Sequence, residues 1–158
     1  MTLIYQSYDS SQLLLNEQLL QSLIIFDQEN FKWPWTEINW RDFLRTRLDS
    51  KIFILVGESN TIYGFNLVEL VDNSAYLHKI CIDPKLEGKG HGSELINRGL
   101  IALRSAKIST LSLEVDTNNQ RAIEFYKARG FVQIGKRKRF YSDGSDAFVF
   151  ELSVTAPV

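Results

Sequence analysis

Cysteine occurs once in the 158 residues, as Cys81, which excludes an internal disulfide and any cysteine-based metal cluster. Proline is scarce, with three residues, and no Pro/Gly/Ser-rich linker, internal repeat or low-complexity tract divides the chain. Charge of one sign is also missing: 18 Lys and Arg against 19 Asp and Glu leave a net charge of -1. No global attraction to nucleic acid or a membrane surface is therefore expected. No run approaches the roughly 18–20 apolar residues of a membrane span, and the opening MTLIYQSYDSSQ has no basic segment followed by an apolar one. These absences predict a cytoplasmic protein, a monomer or weak dimer, folded as a single domain over residues 1–158.

What is present is ordinary globular material, 44% hydrophobic and 23% charged, with legible periodicity. TLIYQSY suits a short strand. Asp9 or Ser10 would cap a helix whose apolar residues include Leu13, Leu14, Leu19, Leu20, Leu23 and Ile24. A loop, DQENFKWPW, follows, and Thr36 would cap a second helix through Trp40, Phe43, Leu44 and Leu48. Strands over 52–57, 61–71 and 75–83 are joined by the short turns ESNT and DNSA, which predicts an antiparallel meander. After Asp83 the pattern changes to helix, strand, helix. In STLSLEV, Leu111, Leu113 and Val115 share one face and Ser112 and Glu114 the other. A crossover of this length makes its flanking strands parallel. A helix over 121–129 closes at Gly130, and the tail reads as two antiparallel strands around SDGS.

The stretch DPKLEGKGHGSELI puts glycine at 88, 90 and 92 and runs straight into an amphipathic helix. It fits neither a Walker-type phosphate loop nor the G-x-G-x-x-G dinucleotide fingerprint, whose third glycine would come one position later. The physics those loops share is still available. Bare backbone exposes consecutive N–H groups and a helix N-terminus adds partial positive charge, so the stretch suits a phosphate group. A ligand-free strand-to-helix connection is the alternative.

Asp83-Pro84, EGKGHGSELI and LEVDTNNQRAIEFYKARGF together resemble the acetyl-CoA-binding half of the GNAT (Gcn5-related) N-acetyltransferases, whose signature is R/Q-x-x-G-x-G/A at the start of a helix. WPWTEINW and RKRFYSDGSDAFVFEL extend the likeness over most of the chain, to the RimI-type ribosomal-protein alanine N-acetyltransferases. The resemblance implies an α+β (mixed α/β) GNAT-like fold: a central, mostly antiparallel twisted sheet with one parallel, splayed strand pair, flanked by helices. It implies acetyl-CoA as co-substrate, with no metal. Ile80, Cys81 and Ile82 would present backbone to the pantetheine arm and acetyl group. Gly88, Lys89, Gly90, His91, Gly92 and Ser93 would hold the pyrophosphate, and Asn119 would contact the cofactor farther along. The sequence departs from the signature at its first position, where Glu87 replaces Arg or Gln. That carboxylate would repel a pyrophosphate, with Lys85 and Lys89 available to offset it.

Acetyl transfer to an amine needs an unprotonated amine, a polarised carbonyl and a proton for the leaving thiolate. An α-amino group of pKa ~8 is within reach of a carboxylate base, and a tyrosine of pKa ~10 can serve a thiolate whose thiol has pKa ~8.5. The resemblance makes Glu114 the proton acceptor and Tyr126 the proton donor; from periodicity alone they read as a strand-end carboxylate and a core aromatic. No covalent enzyme intermediate is required. Cys81 accordingly reads as a buried strand residue, and His78 and His91 as structural or solvent-facing. The run 136–139 reads as a solvated face. The resemblance instead sets Arg137 and Tyr141 in the wall of a peptide groove. Trp35, with Trp33 and Trp40, would line the substrate side or anchor its loop to the core. Three functions follow: acetyl transfer from acetyl-CoA to a protein N-terminal α-amine, with alanine of a small-subunit ribosomal protein as acceptor; the same chemistry on a small-molecule amine; or a non-catalytic acyl-CoA-binding module.

Overall fold

The structure, a computed structural model, describes residues 2–154. β1 (Ile4–Asp9) leads into α1 (Ser10–Leu14), α2 (Glu17–Asn30) and α3 (Glu37–Thr46). The meander follows as β2 (Ser50–Val56), β3 (Ile62–Val71) and β4 (Ser74–Ile82). After it come α4 (His91–Ser105), β5 (Thr110–Asp116), α5 (Gln120–Ala128), β6 (Val132–Arg137) and β7 (Ala147–Ser153).

The single helix expected after Asp9 is two. Asp9 forms a capping box with Gln12 at the start of α1, and Asn16 then caps α2 by accepting from the Leu19 N–H. A polar side chain able to satisfy a helix start thus interrupts a continuous apolar pattern. α2 also runs on to Asn30, so Asp27 lies within a helix instead of opening the loop. Thr36 caps α3 as expected and forms a capping box with Asn39; the helix stops at Thr46 and leaves Leu48 exposed.

All seven strands lie in one sheet, in the order β1-β2-β3-β4-β5-β7-β6. Neighbours are antiparallel except β4 and β5. Alternating side chains of β2 bury opposite faces, which explains its unbroken apolar run. Ile52 and Ile54 join α1, α2 and α3 in one core cluster, whereas Phe53 faces Gly99 of α4 on the other side. The second cluster packs Ile96, Leu100 and Leu103 of α4 and Ile123 and Tyr126 of α5 against β5 and Phe150.

Two irregularities shape the centre of the sheet. The parallel ladder between β4 and β5 holds only for Ser74, Ala75 and Tyr76 against Thr110, Leu111 and Ser112. Beyond that, the edge of β4 facing β5 has no strand partner. The β3–β4 register also slips, from Leu67 opposite Lys79 to Val68 opposite Leu77. His78 is the extra residue of this bulge, a device that re-aims side chains where a ladder ends.

Candidate active site

The splay between β4 and β5 opens into two clefts that share one wall. The cleft of about 480 Å³ is bounded by the end of β4, the glycine loop and the near side of α5. The other, of about 600 Å³, is bounded by residues 30–35, by β4, by the second half of β5 and by Phe140 and Tyr141. Ile80, Cys81, Asn119, Ala122 and Tyr126 line both.

In the first cleft the three glycines have three separate jobs. Gly88 (φ +76°) and Gly90 (φ +86°) are left-handed, and a Cβ on either would meet nothing within 4 Å. Gly90 is the N-cap of α4 and makes no side-chain cap, so the first-turn N–H groups at His91, Gly92 and Ser93 have no intrahelical acceptor. Gly92 is helical, and a Cβ there would lie 3.3 Å from the Phe125 ring. It is bare so that α4 and α5 can approach. Open space over left-handed backbone, uncapped helix N–H groups and an unpaired strand edge alongside suit the diphosphate and the extended, amide-bearing arm of a CoA thioester.

Side chains around that loop complete it. Glu87 lies 2.6 Å from the guanidinium of Arg121 in the first turn of α5, so the carboxylate at the anomalous signature position is neutralised. That role had been expected of Lys85 and Lys89. Arg129 stacks on Phe125, donates to the Phe125 carbonyl and bonds the Ser93 hydroxyl, tying α5 to the start of α4. The Ser93 side chain is thus engaged, while its N–H remains among the uncapped donors of the first turn of α4. His91 is bonded to the Tyr5 hydroxyl at 2.8 Å. Lys89 is exposed and is not among the residues lining the cleft. The Asn119 side-chain oxygen accepts from the Ala122 N–H as the N-cap of α5.

Tyr126 is held by the end of its own helix. The Phe131 N–H donates to the Tyr126 carbonyl and the Gly130 N–H to that of Lys127, with Gly130 at φ +90°, and the Phe131 ring packs on Tyr126 at 5.4 Å. Burial, reinforced by Tyr141, pushes the Tyr126 phenol well above its ordinary pKa, so it stays protonated. Glu114 faces the second cleft. One carboxylate oxygen pairs with Arg137 at 3.1 Å and the other is buried with no hydrogen-bond partner. Burial raises its pKa and Arg137 works against that rise. A carboxylate that is desolvated, half-satisfied and cleft-facing is a competent base. Burial also pushes the Cys81 thiol up to about 12, which removes it as a nucleophile near neutral pH.

Of the remaining expected residues, Trp33, Trp35 and Tyr141 line the second cleft, whereas Arg137, which reaches Glu114 from β6, and the fully buried Trp40 do not. Trp35 lines it while packing on Trp40 and Phe43, so it is at once wall and anchor. Tyr141 stacks on Trp33 at 3.9 Å, which joins the loop before α3 to the loop after β6. His78 is not solvent-facing: it lines this cleft, bonded to Glu69 at 2.9 Å, and Arg47 pairs with the other Glu69 oxygen. The sequence reading missed two groups altogether, Asp27 and Lys79, which form an ion pair buried beside the same cleft. Lys79 is a lone formal charge in the apolar run LHKICI, which was the available signal, whereas Asp27 stands at the polar end of IIFDQEN beside Glu29 and gave none. Among the described residues no cluster of three or more His, Cys, Asp or Glu is placed to hold a metal ion. No helix among them is long and apolar enough to cross a membrane.

Fold and clefts together define an acyltransferase architecture, and comparison with known proteins agrees. Residues 17–131 match the model of the acetyltransferase (GNAT) family. The chain belongs to that family and is an N-acetyltransferase. It is 33% identical over 131 residues to a ribosomal protein bS18-alanine N-acetyltransferase of Haemophilus ducreyi, covering 82% of this chain and 88% of the relative. It is 22% identical over 144 residues to the N-alpha-acetyltransferase MAK3 of Arabidopsis thaliana, covering 91% and 70%. In three dimensions it superposes on the ribosomal-protein-S18-alanine N-acetyltransferase from Escherichia coli with a TM-score of 0.82 at 24% identity, over 99% and 97% of the two chains.

Proposed function

We propose that this protein transfers the acetyl group of acetyl-CoA to the N-terminal α-amine of a protein, with alanine of a small-subunit ribosomal protein as the acceptor. The observation that carries this reading is the meeting of the two clefts at Tyr126, with Glu114 on the side away from the glycine loop. A thioester donor supplies an activated acyl carbon and a thiol leaving group. The glycine loop and the α4 N-terminus hold its diphosphate, and the free edge of β4 around Ile80 to Ile82 aligns its arm, with a backbone N–H meeting the acyl oxygen. In the second cleft Glu114 takes one proton from the ammonium, leaving the nitrogen pair free to attack the acyl carbon. As the C–N bond forms and the C–S bond breaks, Glu114 keeps the first proton and the nitrogen's second proton passes to the sulfur, by way of the Tyr126 hydroxyl, so that the sulfur departs as a thiol and Tyr126 ends protonated. Tyr126, firmly protonated, directs its O–H at that sulfur.

The printed functions of the two relatives, both acting at protein N-termini, support this acceptor class over a small amine. So does an acceptor side lined by long loops and aromatic rings. The test is mass spectrometry of protein N-termini from cells with and without the gene, alongside purified protein offered N-terminal peptides and a panel of small amines. Loss of one N-terminal acetyl group, and peptide acetylation in vitro, are expected. Exclusive acetylation of small amines would transfer the reading to its rival; binding of acetyl-CoA without thiol release on any acceptor would leave only a binding module.

A further inference from the structure

The Asp27–Lys79 pair lies where neither the donor nor the proton transfers require a charge. Asp27 is 0% exposed and Lys79 5%. Lys79 Nζ donates to Asp27 Oδ1 at 3.0 Å, and Asp27 Oδ2 accepts from the indole N–H of Trp40 at 2.7 Å and the backbone N–H of Trp35 at 3.1 Å. The same ammonium sits 4.3 Å from the Phe31 ring centre and 4.8 Å from that of Trp35. One pair thus joins α2, β4, the start of α3 and the loop between the helices. Three of the residues it touches or contains, Phe31, Trp35 and Lys79, line the second cleft. A buried ion pair is poor evidence of added stability, since a well-packed apolar pair of similar volume does as well or better. Its use lies in geometry. Only a cation at position 79 faces two rings and a carboxylate together, and only an acceptor at position 27 holds Trp35 and Trp40 at once.

We propose that Asp27 and Lys79 are positioning residues for the acceptor: their buried pair sets the Phe31 and Trp35 wall of the second cleft at a fixed distance from β4, and thereby the seat of the incoming amine. This rests on the second cleft being the acceptor site, as proposed above. Neither side chain takes or gives a proton in the reaction.

The test uses Lys79→Met, Asp27→Asn and the double variant, each read by acceptor KM, kcat, acetyl-CoA binding, melting temperature and hydrogen exchange of residues 31–36. Asn keeps an oxygen for the two tryptophan N–H groups, and Met keeps the length of the stem. In each single variant the acceptor KM should rise about tenfold, with kcat and acetyl-CoA affinity within about twofold of wild type, the signature of lost binding without lost chemistry. Exchange at 31–36 should quicken. The double variant buries no unpaired charge, so its melting temperature should recover while its acceptor KM stays high. Recovery of both would reduce the pair to a stability element and overturn the proposal. So would equal losses in acceptor KM and acetyl-CoA affinity. If wild-type protein acetylates no peptide, the proposed function fails on its own, and unchanged exchange at 31–36 in Lys79→Met still decides against the clamp.

Discussion

The two clefts differ in what they are made of. The first cleft, the proposed donor side, is mostly backbone: left-handed glycines, the uncapped start of α4 and the unpaired edge of β4, all drawn from residues 80–93 and 119–129. The second cleft, the proposed acceptor side, is mostly side chain, contributed by residues from Asn30 to Tyr141. A site for a constant ligand can be built from main chain, whose geometry a few glycines and a helix start determine. A site that must discriminate among amines needs side chains converging from remote elements. Tyr126 stands at the boundary, and Glu114 lies on the side of the second cleft.

The largest expected break in this comparison is Glu114→Gln. The amide is nearly isosteric and keeps a partner for Arg137, so folding and donor binding should hold while kcat falls by roughly 100-fold or more, the range for losing a positioned base. The pH profile adds a sign. Glu114 must be ionised to accept a proton, and burial raises its pKa, so the acidic limb of wild-type kcat should lie above the ordinary carboxylate range. That limb should vanish in the variant. An unchanged profile would remove Glu114 from the chemistry.

Tyr126→Phe comes next. Loss of one hydrogen bond to a developing thiolate, worth ~1.5–3 kcal/mol, corresponds to about 10- to 100-fold in kcat. The Schellman turn at Gly130 and the ring contact with Phe131 do not involve the hydroxyl, so melting should change little. Because Tyr126 lines both clefts, a purely structural tyrosine would move donor affinity and kcat together. A kcat loss at unchanged acetyl-CoA affinity is the outcome that assigns it to sulfur.

The contrast also explains what the sequence disclosed. The backbone of the glycine loop and of α5 was legible because its determinants are local: glycine spacing, a helix start, and a helix end closed by Gly130. The meander, the crossover and the helix cap at Thr36 were legible for the same reason. Asn16 was not, since an apolar period continues through it and only a satisfied cap shows that the helix restarts. Arg121 beside Glu87, Arg129 on Ser93 and Asp27 with Lys79 are contacts between elements 34 or more residues apart in sequence, and periodicity carries no information about them. Lys89 is the converse: its neighbours in the motif line the cleft, while Lys89 itself is exposed and outside that lining.

Gly90→Ala tests the backbone character of the donor side. A Cβ there meets no neighbour, yet φ is +86°, so the substitution should cost about 1–2 kcal/mol through left-handed strain alone. Relaxation of that strain would turn the first N–H groups of α4. Acetyl-CoA affinity should drop about tenfold, with the acceptor KM unaffected. An equal rise in acceptor KM would mean that the clefts are not built independently.

The smallest effect is expected from Arg121→Ala, and it is the most informative about Glu87. The ion pair is open to water, with Arg121 71% and Glu87 40% exposed at the side chain, so fold stability should be nearly unchanged. What changes is the field at the loop, where an unneutralised carboxylate would face the donor diphosphate across the mouth of the cleft. Acetyl-CoA affinity should weaken by about two- to fourfold at low ionic strength and converge on wild type in ~1 M salt, where the screening length is about 3 Å. Adding Glu87→Gln to Arg121→Ala should restore affinity at every salt concentration, because the repelling charge is then gone. A loss that survives both high salt and the second substitution would mean that Arg121 contacts the donor directly, placing a side-chain ligand in the half of the site otherwise made of main chain.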